Sequence, residues 1–151
     1  MDAAFDLAPF AARRTRLLQR MAAQGGGLAV IPTAPEQVRN RDSHYPYRAD
    51  SYFHYLTGFD EPEAVLVLIA GNQSTPAQSI LFCREKDADK EIWDGFRWGP
   101  EAARTTFGFD ACYPIAGFDA KLAELLCDQP ALWFSLGHDA AWDARIGAAL
   151  N

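Results

Sequence analysis

Basic residues are scarce in this sequence: 14 lysines and arginines stand against 20 aspartates and glutamates, for a formal net charge of −6. That deficit excludes a general nucleic-acid binder, whose affinity rests on neutralising phosphates. Cysteine is scarcer still. Cys83, Cys112 and Cys127 are odd in number and show no C-x-x-C spacing, which excludes a disulfide framework and predicts reduced core thiols in a cytoplasmic protein. Long apolar runs are missing too. The longest, Ala64 to Ala70, is far too short to span a bilayer, so no membrane partner is expected. The acidic start, Met-Asp-Ala-Ala-Phe-Asp, lacks the basic flank and apolar core of a signal peptide. Without secretion, the sequon Asn72-Gln-Ser74 reads as a polar turn. No internal repeat or low-complexity linker interrupts the chain.

What is present is an ordinary globular composition. The 151 residues are 49% hydrophobic and 23% charged, which suits one domain over 1–151 burying roughly two-thirds of its unfolded surface. The charge is uneven. Residues 1–48 hold seven arginines and four acids, whereas residues 49–151 hold seven basic and sixteen acidic residues. A basic end of this kind suits an acidic partner, another part of the same chain included.

The pattern interleaves helices and strands. Phe10, Leu17, Leu18 and Met21 share one helical face, with Arg13, Arg16 and Arg20 on another. Gly25-Gly-Gly27 stops that helix before an apolar strand, Leu28 to Ile31, ended by Pro32. Asp50 or Ser51 caps a short helix through Tyr52, Phe53, Tyr55 and Leu56, with Gly58 as its stop. Ala64 to Ala70 is apolar without alternation, as a strand covered on both faces requires; Ser79 to Cys83 is predicted to pair with it antiparallel. Pro100 to Gly108 bounds a helix and Ala111 to Ile115 is a strand. Leu122, Leu125 and Leu126 mark another helix, and Ala131 to Leu136 another strand. Asp139 caps a last helix that buries Trp142, Ile146 and Leu150. The order predicts an α/β fold, an open mixed sheet flanked by helices.

Reactive constellations are few. Gly25 to Gly27 precede a strand instead of following one, so they do not form a phosphate loop. Ser135, His138 and Asp139 invite a hydrolase reading, but Trp133 stands where a nucleophile elbow needs glycine. Ser135 then reads as a strand end and Asp139 as a helix cap. His44, His54 and His138 have no i, i+4 partner, and the run Glu85 to Glu91 mixes signs as a solvated loop does. No catalytic or metal-ligating residue is assigned, and no cofactor is expected on this chain.

Two segments exceed what a scaffold requires. In Asp42 to Glu63, Tyr45, Tyr47, Tyr52 and Tyr55 are interleaved with Arg48 and Asp50. These residues suit either an internally satisfied aromatic loop with an Arg–Asp pair or a surface for another domain or subunit. Glu91-Ile-Trp93-Asp-Gly-Phe-Arg97-Trp98-Gly99 concentrates aromatic mass with little regular pattern. Its own domain, a partner domain or a substrate must cover it.

Tyr45-Pro-Tyr-Arg48, Ser51-Tyr-Phe-His-Tyr-Leu-Thr-Gly58-Phe-Asp-Glu-Pro62, Ala64 to Leu68 and Trp93-Asp-Gly-Phe-Arg97 together resemble the amino-terminal domain of proline-specific Xaa-Pro aminopeptidases (aminopeptidase P), a domain shared with creatinase- and prolidase-like enzymes. The resemblance covers nearly the whole chain. It implies a metallopeptidase that removes the first residue from peptides with proline in second position. It also implies a carboxy-terminal catalytic domain, beyond residue 151, holding two divalent metal ions, commonly manganese. The implied partners are that catalytic domain and neighbouring subunits, with a narrowed active-site mouth. The resemblance implies that Trp93 lines a catalytic pocket, in a neighbouring subunit, and that Asp42 is of the same kind. Domain–domain packing is the alternative for Trp93. Tyr45, Tyr47, Arg48, Asp50 and Arg97 organise loops or interfaces, and Trp98 adds aromatic mass beside them. Rival readings are a free-standing α/β peptide- or protein-binding module, the amino domain of a prolidase-like dipeptidase, and a hydrolase acting through Ser135 and His138.

Overall fold

The computed structural model describes residues 6–34, 38–40, 43–44, 51–72, 74–135 and 139–150. The chain opens with helix α1 (Ala8–Ala23), strand β1 (Leu28–Pro32), the short strands β2 (Val38–Asn40) and β3 (Ser43–His44), and helix α2 (Ser51–Thr57). Strands β4 (Val65–Ile69) and β5 (Gln78–Cys83) follow, then helices α3 (Ala88–Asp94) and α4 (Pro100–Phe107). Strand β6 (Ala111–Pro114), a 3-10 turn (Ile115–Gly117), α5 (Phe118–Leu126), β7 (Leu132–Trp133) and α6 (Ala140–Ala149) complete it. No helix among the described residues is long and apolar enough to cross a membrane.

Five strands form one mixed sheet in the order β6-β5-β4-β1-β7. The pairs β1–β4 and β4–β5 are antiparallel, while β5–β6 and β1–β7 are parallel. Val67 of β4 stands opposite both Val30 and Ile80, so the side chains of three strands line up in rows. Odd-numbered β4 residues, Val65 and Val67, join Phe82, Phe118, Leu122 and Ile146 on one face of the sheet. Even-numbered Leu66 and Leu68 join Met21, Phe53, Leu56, Phe59 and Phe107 on the other. Both faces are therefore dry, which is why β4 shows no polar alternation. Each fully buried aliphatic side chain here contributes about 1.5–3 kcal/mol.

Local signals place the helix ends. Pro100 opens α4, and Gly108 closes it with φ +78° and an N–H donated to Arg104 O at 3.0 Å. Gly58 ends α2, donating to His54 O at 2.9 Å. Asp139 caps α6, its carboxylate accepting the N–H groups of Ala141 and Trp142 at 2.9 and 3.4 Å.

Three expectations need correction. β7 covers only Leu132 and Trp133 within the predicted 131–136, because this edge strand has one neighbour and its ladder to β1 spans only Leu28 and Ala29. Leu150 is 61% exposed, since α6 has ended at its C-cap there and the buried side stops at Ile146. Cys127 is exposed at the end of α5, with its Sγ 3.7 Å from Ala123 O; Cys83 is buried and Cys112 half-buried, with both thiols pushed up to about 12 by burial. The structure also brings out Arg14, which the arginine stripe of α1 did not include. It is buried, donating from Nη1 to Leu56 O at 2.9 Å and from Nη2 to Phe107 O at 3.4 Å, with its guanidinium 4.5 Å from the Phe109 ring centre. One cation thus caps the carboxyl ends of α2 and α4, where the helix dipoles favour positive charge. Burial lowers its pKa, and nearby Asp110 works against that shift.

Candidate functional site

The aromatic segment after β5 begins with a cap. Asp87 lies in extended backbone and its Oδ1 accepts the N–H groups of Asp89 and Lys90, each at 3.1 Å. With Asp89 and Glu91 in its first turn, the mixed-sign run becomes the start of α3 rather than the solvated loop that charge alternation suggested.

Helix α3 contributes to neither core cluster among the described residues. Charged side chains hold its far end instead. Glu91 Oε1 accepts both the Lys86 ammonium at 2.8 Å and the Arg97 N–H at 2.9 Å. Lys86 Nζ also donates to the Arg97 carbonyl at 2.8 Å and sits 4.2 Å from the Phe96 ring centre. The Lys86 ammonium and the Arg97 N–H hold the Glu91 carboxyl below its ordinary value.

One residue further on, the Trp98 N–H goes to Glu61 Oε2 at 2.7 Å, and Glu61 Oε1 lies 3.4 Å from Arg84 Nη2. Burial pushes the Glu61 carboxyl up, with the Trp98 N–H and Arg84 opposing. Gly95 and Gly99 flank the turn with φ of +92° and +77°, where L side chains are strained; a Cβ on Gly99 would also stand 3.0 Å from Lys86 Cβ. Trp98 is half-buried, edge-on to Phe107 and to Phe96, each with ring centres 5.2 Å apart.

This framework presents three large apolar side chains to solvent: Trp93 is 87% exposed, Ile92 76% and Phe96 61%. Of the residues singled out from the sequence, Trp93 therefore stands at an exposed tip, Arg97 is buried and Trp98 anchors the segment to α4. Asp42, Tyr45, Tyr47, Arg48 and Asp50 lie outside the described residues. Sequence reasoning missed Lys86, Glu61 and the use of Glu91. Its available signal was Asp87 standing before a run with Asp89 and Glu91, a helix-start pattern.

Of the Ser135, His138 and Asp139 constellation, the structure places two members. Asp139 is committed to the α6 N-terminus, Ser135 is exposed, and His138 lies outside the described residues. Among the described residues no group of three or more His, Cys, Asp and Glu side chains is placed to hold a metal ion.

In class, this is an open mixed-sheet α/β domain that projects an aromatic tip from a charge-clamped turn. Residues 10–133 match the family model described as Aminopeptidase P, N-terminal domain. The Xaa-Pro aminopeptidase of Escherichia coli (strain K12) is 41% identical over 142 residues, covering 94% of this chain and 32% of that protein. The Xaa-Pro aminopeptidase of Haemophilus influenzae is 39% identical over 124 residues, 82% of this chain and 28% of that protein. Among solved structures, aminopeptidase P from E. coli in a low-pH form superposes with a TM-score of 0.90 at 38% identity, over 98% of this chain and 33% of that one. Proline aminopeptidase P II from Yersinia pestis gives 0.87 at 38% identity, over 97% and 33%. The chain belongs to the aminopeptidase P N-terminal domain family, and it spans about a third of the length of these relatives.

Proposed function

We propose that this chain serves as the amino-terminal domain of a cytoplasmic, metal-dependent Xaa-Pro aminopeptidase, which removes the first residue from peptides with proline in second position. In this reading the two metal ions, manganese by preference, and the residues that bind them belong to a catalytic domain carboxy-terminal to residue 151. The domain described here contributes contacts to that domain and to neighbouring subunits, and it narrows the entrance to the active site. By itself it is inactive.

The observation that carries the reading is the position of Trp93. Its indole is exposed at the end of a segment whose next turn is held by two carboxylates and a lysine. An exposed aromatic on a rigid support is well suited to a proline ring, which is apolar, stiff and without an N–H. Asp42 joins Trp93 at the pocket in this proposal. Tyr45, Tyr47, Arg48, Asp50, Arg97 and Trp98 organise the loops behind them. Family membership and 41% identity to an Xaa-Pro aminopeptidase support the choice of substrate class.

The test is release of the first residue from an Xaa-Pro peptide by the complete protein, with and without manganese. Metal-dependent release supports the proposal, and its absence overturns it. The 151-residue chain assayed alone is expected to release nothing.

A further inference from the structure

Lys86, in the β5–α3 connection, and Glu91, within α3, converge on a single residue. Glu91 Oε1 accepts the Arg97 N–H at 2.9 Å, Lys86 Nζ donates to the Arg97 carbonyl at 2.8 Å, and the two side chains pair at 2.8 Å. Both main-chain polar groups of Arg97 are held from one side, as a neighbouring strand would hold them. The next N–H, that of Trp98, goes to Glu61, so two consecutive peptide groups are fixed by acidic and basic side chains. Hydrogen bonds to charged groups are the stronger kind.

Beyond Trp98, which packs on Phe107, the grip leaves the aromatic surface of the segment uncovered. Ile92 and Trp93 just before the held turn and Phe96 within it face solvent, and the Lys86 side chain is itself 55% exposed. With Lys86 more than half exposed and the Glu91 side chain 16% exposed, the ion pair lies at the surface and adds little to global stability. Its effect is local: it orders a turn flanked by Gly95 and Gly99, two positions with the widest backbone freedom. Without it, the cost of ordering that turn would fall on the binding step. Lys86 also ties the Phe96 ring to the same point, 4.2 Å from the ammonium.

We propose that Lys86 and Glu91 are positioning residues for peptide binding: they hold the Gly95–Trp98 turn so that Trp93 and Phe96 form a preformed aromatic edge for the proline-containing substrate. The proposal rests on the reading of Trp93 given above. Lys86 and Glu91 act through the turn and do not touch the peptide.

The experiment compares Glu91→Ala, Glu91→Gln, Lys86→Met, Trp93→Ala and the double variant Glu91→Ala/Trp93→Ala in the complete protein acting on an Xaa-Pro peptide. Glu91→Ala and Lys86→Met are each expected to raise KM roughly tenfold while kcat stays within about twofold, because ordering is transferred to binding. Glu91→Gln keeps an acceptor for the Arg97 N–H and is expected to fall between wild type and Glu91→Ala. The double variant is expected to be no worse than Trp93→Ala alone, since both changes remove one function. Amide exchange at Arg97 and Trp98 is expected to accelerate roughly tenfold in Glu91→Ala, with β4 and β5 unchanged. A raised KM in Trp93→Ala beside wild-type KM in Glu91→Ala and Lys86→Met overturns this proposal alone. Additive effects in the double variant, or unchanged exchange at Arg97, overturn it as well. Wild-type KM in Trp93→Ala overturns the reading of Trp93, and this proposal with it.

Discussion

Strand β4 and the turn after α3 are both held firmly, by opposite means. Every backbone neighbour of β4 is another strand, and its side chains vanish into two apolar clusters, with Val65, Leu66, Val67 and Leu68 all at 0% exposure. The turn at Arg97 and Trp98 has no strand partner; Glu91, Lys86 and Glu61 satisfy its peptide groups while its aromatic neighbours Trp93 and Phe96 stay in water. Burial is non-directional and scales with area, so it suits a core that must be stable. Charge-assisted hydrogen bonds are directional and contribute little net stability at a surface, so they suit a segment that must be placed without being covered. The contrast separates what keeps the domain folded from what it displays.

The largest expected effect breaks the sheet side of the contrast. Phe82→Ala removes a ring packed edge-on against Phe118 at 4.9 Å and is expected to cost about 3–5 kcal/mol in urea unfolding. Glu61→Ala comes next, at about 2–3 kcal/mol, because it leaves Arg84 without its carboxylate and the Trp98 N–H without its acceptor.

A smaller effect appears as a pH dependence whose sign differs between the two carboxylates. Glu91 is held below the ordinary value of 4.5, so its contribution is present above that pH and is lost as pH falls through its lowered pKa. Glu61 is raised, so its ionisation costs stability as pH rises through its pKa, and that cost disappears on acidification. Unfolding between about pH 3 and pH 7 should therefore show wild type losing ground to Glu91→Gln as the solution is acidified, and gaining on Glu61→Gln. Differences of the same sign would break the assignment. The smallest stability effect is expected for Trp93→Ala, within about 0.5 kcal/mol by thermal or urea unfolding, since the side chain is 87% exposed. A loss of several kcal/mol would make Trp93 part of the scaffold.

The sheet side of the molecule was legible in advance. An apolar run without alternation at Ala64 to Ala70 marked the central strand, Pro100 and Gly108 bounded α4, and Asp139 was recognisable as a cap. These signals work because they are local: periodicity, fixed φ and side-chain capping act over a few residues. Arg14 was not legible, although Arg13, Arg16 and Arg20 were noticed beside it. Its burial depends on carbonyls of Leu56 and Phe107, which lie 42 and 93 residues away. The clamp on the Trp93 segment was hidden for the same reason, with Glu61 reaching Trp98 across 37 residues. A run of alternating charges reads as a solvated loop until one knows that Lys86 and Glu91 face the same peptide group.

The sequence by itself therefore determined the layers: a mixed sheet, helices on both faces, and an aromatic segment with too much apolar surface for a loop. It also carried the motifs that connect the chain to aminopeptidase P. Only the tertiary structure decided which ends of those elements meet, that one buried arginine caps two helices, and that an ion pair holds the turn beneath Trp93. The division has a physical cause. Hydrophobic periodicity and backbone preference are written into neighbouring residues, whereas a hydrogen bond to a distant peptide group exists only after the chain has brought the two together.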